Sequence, residues 1–245
     1  LLSDAQANVC HRFPMQLAID GGPPVRRETL PYSRQLISDA DCEAVVDTLK
    51  SPWLTTGPTV EAFEEAFAAF TGAAHAVAVS SGTAALHCAM KAAAVGPGSE
   101  VIVPTMTFAA TANAVVYCGG TPVFVDSYPE TLLLDLAATE AAISGKTRAI
   151  CAVDYAGQPC DYDALRALCD QHSLILIADA CHALGGSYRH RSVGVLADMS
   201  AFSFHPVKPM TTGEGGMIVT DDARLAEELS GVSQRRLKLE GEIAG

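Results

Sequence analysis

From about residue 72 the sequence alternates short apolar runs with stretches of helical pattern, and no other feature limits the possible fold so strongly. "HAVAV" (75–79) reads as a strand, and "TAALHCAMKAAAV" (83–95) as a helix rich in strong helix formers. "EVIVP" (100–104) is the next strand, and "TFAATANAVVYC" (107–118) a helix that stops at Gly119-Gly120. "PVFVD", a helix near "DLAATEAAIS", and "TRAICAVDY" continue the rhythm. "DYDALRALCDQH" is then a helix and "SLILIAD" a strand of the fully buried type. Strands alternating with helices predict an α/β domain, with a mostly parallel central sheet covered by helices on both faces.

The rhythm changes after Asp179. "GSYRHRSVG" reads as a short polar hairpin, and "DMSAFSF" and "GGMIVTD" as two further short strands. A final helix is expected near "DARLAEELS", followed by a polar tail without a clear element. Upstream of residue 72 the pattern is less regular. It contains a helix near "DADCEAVVDTLKS", the turn-rich "PWLTTGP" and a helix over "TVEAFEEAFAAFTG". The expected organisation is an N-terminal extension over 1–27, a main domain over 28–231 and an atypical, truncated tail over 232–245.

Composition narrows the function classes. The formal net charge of -12 leaves no basic stripe to neutralise phosphates, which argues against a nucleic-acid binder. No apolar run is long enough to span a bilayer, and the opening residues lack a basic segment followed by an apolar one. The eight cysteines are scattered without a CxxC pair, several inside apolar runs, and read as reduced thiols of a cytoplasmic protein. None of the seven histidines forms an HExxH pair or sits at metal-ligand spacing with cysteines, so no metal site is expected. "SGKT" (144–147) imitates the end of a P-loop, but Glu140 stands where the first glycine is required and no strand precedes it.

Three stretches carry chemistry. "SSGTAAL" (80–86) lies where a strand hands over to a helix. Gly82 would permit a tight turn, Thr83 would cap the helix, and the free N–H groups would face an anion of phosphate size. An ordinary capped helix start fits the same residues. "ADACHALGG" places Asp179 at the carboxyl end of a strand, the edge at which open α/β sheets bind ligands, with His182 three residues on. A carboxylate there suits a cationic ring nitrogen; a helix-capping aspartate beside a half-buried histidine is the plainer alternative. In "SFHPVKPMTTGEGG" (203–216), Pro206 and Pro209 stiffen the backbone around Lys208. Confinement and desolvation make an amine a better nucleophile, which suits covalent chemistry with an aldehyde.

Taken in order, "WLTTGP", "SSGTAAL", "VPTMTFAATANAV", "GGTPVFVD", "DACHALG" and "SFHPVKPMTTGEGG" resemble the DegT/DnrJ/EryC1/StrS sugar aminotransferases over about residues 28 to 231. The resemblance implies the large domain of the fold-type I pyridoxal 5′-phosphate enzymes, with the family's C-terminal small domain missing from this chain. It implies that Lys208 bonds the cofactor and then serves as general base and acid, and that Asp179 pairs with the pyridine nitrogen. It places His182 near the ring hydroxyl, Phe108 against the ring, Gly82 and Thr83 at the phosphate, and Ser203 beside the phosphate or the sugar. Gly82 would also border the substrate.

The resemblance further implies an amino-acid donor, glutamate by analogy, a keto-sugar nucleotide acceptor and a homodimer. "PYSRQ", "SPWLTTG" and "VDYAG" look most like the pseudaminic acid branch, whose acceptor is a UDP-linked 4-keto-6-deoxy-N-acetyl-hexose. Tyr32 and the run Pro52, Trp53, Leu54 and Thr55 would then contact substrate. Enzymes making 4-amino-arabinose or perosamine share most of these motifs. A regulator that binds without turnover and an inactive fragment are the readings from other classes.

Overall fold

A computed structural model describes residues 16–31 and 33–243 of the chain. The backbone divides between Arg34 and Gln35 into two compact units. In the first, a 3-10 turn over Ala18–Asp20 ends at Gly21, whose φ of 93° a side chain would resist.

The second unit opens with two helices whose ends are written in the sequence. Helix α1 (Asp39–Lys50) starts at a capping box in which the Ser38 side chain and Asp41 satisfy each other's backbone N–H groups. Helix α2 (Pro58–Thr71) has proline in its first turn and stops at Gly72, in the left-handed conformation. Strand β1 (His75–Val79) leads into helix α3 (Gly82–Ala92), β2 (Glu100–Pro104) into α4 (Ala109–Tyr117), and β3 (Thr121–Val125) into α5 (Leu136–Ala141). Strand β4 (Thr147–Val153) precedes α6 (Tyr162–His172) and β5 (Ile175–Asp179). The polar hairpin is present as β6 (Ser187–Tyr188) and β7 (Arg191–Ser192), followed by β8 (Met199–Ser203), β9 (Gly216–Thr220) and helix α7 (Ala223–Ile243).

Among the described residues the main sheet has seven strands, in the order β1-β9-β8-β5-β4-β2-β3. Pairing is parallel from β8 to β3 and antiparallel on both sides of β9. Strand β9 therefore runs alone against the others, and β1, β2, β4, β5 and β8 all end on the edge where β9 begins. Alternate residues feed two cores: Ile150 and Ala152 of β4 enter one, Ala149 and Cys151 the other. Helix α6 and Phe67 of α2 cover the first face, with α3, α4 and α7 over the second. Each large side chain so buried contributes about 1.5–3 kcal/mol, set against the entropy of ordering the chain.

The sequence reading needs two adjustments here. The tail is not without an element, because α7 continues through it to Ile243. Leu225 and Leu229 anchor this helix in the core, and Val232 packs against the same cluster one turn further on. Thr83 does not cap α3. Ser81 does, its Oγ accepting from Ala84 N at 3.1 Å.

Among the described residues no helix is long and apolar enough to cross a membrane. No group of three or more histidine, cysteine, aspartate or glutamate side chains among them is arranged to hold a metal ion. No disulfide joins the cysteines among the described residues, and Cys88, Cys151, Cys160 and Cys169 are buried.

Candidate active site

The carboxyl edge of the parallel strands opens into a cavity of about 380 Å³. Gly82 and Thr83 reach it from the start of α3, Phe108 from the start of α4, and Asp179 and His182 from the end of β5. Ser203 and Lys208 reach it from β8 and the loop that follows. The structure thus gathers around one cavity all seven residues that the resemblance assigns to a cofactor, although they come from four separate stretches of chain.

Gly82 owes its place to crowding and not to a turn needing glycine. A Cβ there would lie 2.7 Å from Ser203 Cβ and 3.3 Å from Cys181 Sγ. The N–H groups of Gly82 and Thr83, at the first turn of α3, have no carbonyl one turn back to bond. They form a positive wall suited to an anion. Gly216 holds β9 against this turn, since a Cβ on it would meet the Ser81 carbonyl oxygen at 2.3 Å.

Asp179 is 6% exposed. Its Oδ2 accepts from Thr111 Oγ1 at 2.7 Å, and Thr111 shares a 2.7 Å hydrogen bond with Thr107. Oδ1 accepts a longer bond, 3.4 Å, from Cys181 N. The ion pairs among the described residues do not include Asp179, so this buried carboxylate faces the cavity without a cationic partner. Helix-capping, the plainer reading of Asp179, does not apply, because no helix follows it directly.

Lys208 is half-buried on a turn closed by its own N–H to the His205 carbonyl, 2.9 Å. Gln35 Nε2 donates to the Pro206 carbonyl at 2.9 Å, and Val207 N to His205 Nδ1 at 3.3 Å. Phe204 roots the loop: it is buried against Phe63 and Phe67, while its carbonyl accepts from Thr212 N and Thr211 Oγ1. The stiffness that two prolines promise around this lysine is thereby extended by side chains from elsewhere in the unit.

His182 is held below the ordinary histidine range, first by burial and then by the Lys208 charge, against a smaller opposing pull from Asp179. Burial, then Asp179, pushes the Cys181 thiol well above its usual range, so this cysteine packs as a neutral group.

Phe108 is 74% exposed, with its ring at the mouth of the cavity. Pro52, Trp53, Leu54 and Thr55 do not border the cavity. They form an exposed loop between α1 and α2, with Trp53 59% exposed, and Thr55 lines a different groove beside Glu61 and Glu64. Tyr32 lies outside the described residues. Sequence reading misses Thr111, Cys181, His205 and Glu214, all at or behind the cavity wall. His205 and Glu214 stand inside the lysine motif, so proximity to Lys208 is the available signal. Thr111 offers only its position one turn after Phe108.

A buried carboxylate asking for a cation, a helix start asking for an anion and a framed amine between them fit pyridoxal phosphate, which carries a protonatable ring nitrogen, a phosphate and an aldehyde. The mostly parallel α/β sheet is the fold of the fold-type I pyridoxal-phosphate aminotransferases. The chain belongs to the DegT/DnrJ/EryC1/StrS aminotransferase family, which it matches over residues 35–241.

It is 47% identical over 204 residues to the spore coat polysaccharide biosynthesis protein SpsC of Bacillus subtilis, covering 83% of this chain and 52% of that protein. The putative sugar aminotransferase Spr1654 of Streptococcus pneumoniae, in its pyridoxal-phosphate form, superimposes with a TM-score of 0.80 at 35% identity, over 83% of this chain and 57% of its own. PseC of Helicobacter pylori, an aminotransferase involved in the biosynthesis of pseudoaminic acid, gives 0.78 at 37% identity, over 83% and 55%. The chain spans about half the length of the relatives it matches. Pyridoxal phosphate is the cofactor of this family.

Proposed function

We propose that this chain carries the cofactor-binding machinery of an aminotransferase that moves an amino group from an amino acid, glutamate by family analogy, to C4 of a UDP-linked 4-keto-6-deoxy-N-acetyl-hexose. The observation that carries the aminotransferase reading is Lys208 framed on the same cavity as the buried Asp179. Similarity to PseC supports the pseudaminic-type sugar. The higher identity to SpsC, named for spore coat polysaccharide biosynthesis, favours a neighbouring keto-sugar as the second reading.

When bound, pyridoxal phosphate supplies an aldehyde that takes up and returns nitrogen, and a protonated ring that draws electrons from the reacting carbon. Lys208 is the amine that anchors it and, once released, the base that carries a proton at the carbon bearing the migrating nitrogen. Asp179, oriented by Thr111, keeps the ring nitrogen protonated. Gly82 and Thr83 hold the phosphate, Ser203 lies beside the phosphate or the sugar, Phe108 covers the ring face and His182 meets the ring oxygen. Tyr32 and Pro52–Thr55 belong to the sugar side in this reading, and the working unit is a homodimer. Cys151, Cys160 and Cys169, buried and outside any disulfide, support action in the cytoplasm.

The test is the near-ultraviolet and visible spectrum with pyridoxal phosphate, before and after glutamate, followed by mass spectrometry of the sugar product. A visible band that bleaches with glutamate, and a product carrying a new amino group at C4, are expected. No band at all would refute the reading. A bleached band with the UDP-sugar left unreacted, while another keto-sugar is aminated, would move the assignment to the second reading.

Gly82→Ala tests the phosphate wall. The added methyl overpacks against Ser203, a change that costs about 1–3 kcal/mol where neighbours cannot yield. Affinity for pyridoxal phosphate, followed by absorbance titration, is expected to fall at least about tenfold. Unchanged affinity would take the phosphate away from this turn.

A further inference from the structure

Behind the cavity lies a buried polar cluster that the proposed chemistry does not use. Asp154, directly after β4, is 0% exposed. Its N–H donates to the Asp179 carbonyl at 3.1 Å. Its Oδ1 accepts from Cys160 N at 3.0 Å, and both carboxyl oxygens lie 3.0 Å from the Tyr162 hydroxyl, which donates to them. The carboxyl group therefore ties down the far end of the stretch 155–160, and the Asp154 N–H holds its start against β5. Burial raises it to about 7 in spite of these donors, as expected of a group held there by the fold.

The turn so anchored is strained and rests on His182. Ala156 has φ 54° and ψ 21°, a left-handed conformation that costs a residue with a side chain about 1 kcal/mol. In return its N–H points at His182 Nδ1, 3.3 Å away. A Cβ on Gly157 would lie 3.1 Å from the His182 carbonyl oxygen, so the turn sits directly on that backbone. The Tyr155 ring meets the imidazole edge-on at 6.2 Å. A backbone N–H can only donate, so Nδ1 must accept, and a neutral imidazole then carries its proton on Nε2.

We infer that Asp154 is a positioning residue: through the 155–160 turn it fixes His182 as the Nε2–H tautomer, leaving Nε2 as a hydrogen-bond donor toward the cavity. The occupant it suits is an aromatic oxygen that accepts, which under the proposed function is the deprotonated ring oxygen of pyridoxal phosphate. The ligand part of the inference rests on that reading; the tautomer does not.

The experiment is long-range proton–nitrogen correlation NMR at pH 7 on the full chain labelled with 15N-histidine, with His182 assigned by its loss in His182→Gln. Before any cofactor is added, His182 is expected to show an unprotonated Nδ1 and a protonated Nε2. A protonated Nδ1, or a doubly protonated ring, overturns the inference. In Asp154→Ala the two tautomers are expected to mix. Should that variant fail to fold, Tyr162→Phe keeps the ring and removes one donor to Asp154, and mixing is expected there too. A wild-type pattern in the folded variant removes Asp154 from the role.

Binding then separates the two ideas. His182→Gln, which keeps a donor, should retain pyridoxal phosphate affinity within about threefold, and His182→Leu should lose about tenfold, the effect of one hydrogen bond to a charged group. Equal losses in both overturn the donor assignment. If the wild-type chain has the expected tautomer and binds no pyridoxal phosphate, the proposed function falls while the role of Asp154 is upheld.

Discussion

With Lys208 replaced by alanine, borohydride treatment in the presence of pyridoxal phosphate is expected to leave no covalent adduct on the chain, and amino transfer to fall by at least about 10⁴-fold. The size of the loss follows from two functions leaving together. A positioned general acid–base is worth about 10²–10⁴ by itself, and the same amine is the anchor. The fold should tolerate the change, because the turn is held by the 2.9 Å bond from the backbone N–H of residue 208 and by Gln35, not by the lysine head group. Peptide mapping of the reduced adduct and a single-turnover assay check the two halves separately. An adduct that persists in the alanine variant at another residue would reassign the anchor. Histidine and cysteine neighbours such as His205 and Cys181 give no comparably stable product under reduction, so the readout is specific.

Asp179→Asn is expected to lower turnover by about 10²–10³-fold, the range found when one preorganised electrostatic partner of a developing charge is removed. The substitution is nearly isosteric, and the Asn oxygen can still accept from Thr111, so packing and the 2.7 Å contact survive in shape. What is lost is the negative charge beside the ring nitrogen. Binding should weaken less than turnover does, and the comparison of affinity by titration with rate by product formation isolates the electrostatic part. Full turnover in the asparagine variant would end the ring-nitrogen assignment. A loss confined to affinity would recast Asp179 as a binding residue.

Much of this architecture is legible in the amino-acid sequence, and the reasons are local. Strands such as "SLILI" are continuous apolar runs because both faces are covered, and helices such as α6 keep their 3.6-residue period because one face is wet. Lys208 stands out because its neighbours restrict the backbone. Properties set by residues far apart are not legible. The bond between Thr111 and Asp179 spans two helix–strand units, and nothing in either stretch names the other. Gly82 suggests backbone freedom when read in its own stretch, whereas the approach of Ser203 decides its role. Ser81 and Thr83 have the same capping chemistry two positions apart, and only the path of the chain selects between them. The tail keeps a sparse apolar period, with Val232, Leu239 and Ile243 following Leu229, but its many charged residues hide that period in a reading of the sequence. "PWLTTGP" announces a turn but not where the turn lies relative to the cavity.

The lone reversed strand has a kinetic consequence. Among the described residues strand β1 pairs only with β9, with His75 opposite Thr220, so it stays unpaired until residue 220 has been synthesised. Closure entropy over so long a stretch is paid once and late, and folds dominated by such distant pairings form slowly. The turn at Ser81 and Gly82 is pressed into place by Gly216 in that same step. Assembly of the sheet and creation of the anion-binding wall are therefore one event, and a ribosome-bound chain that has not yet reached residue 220 has no finished pocket to fill.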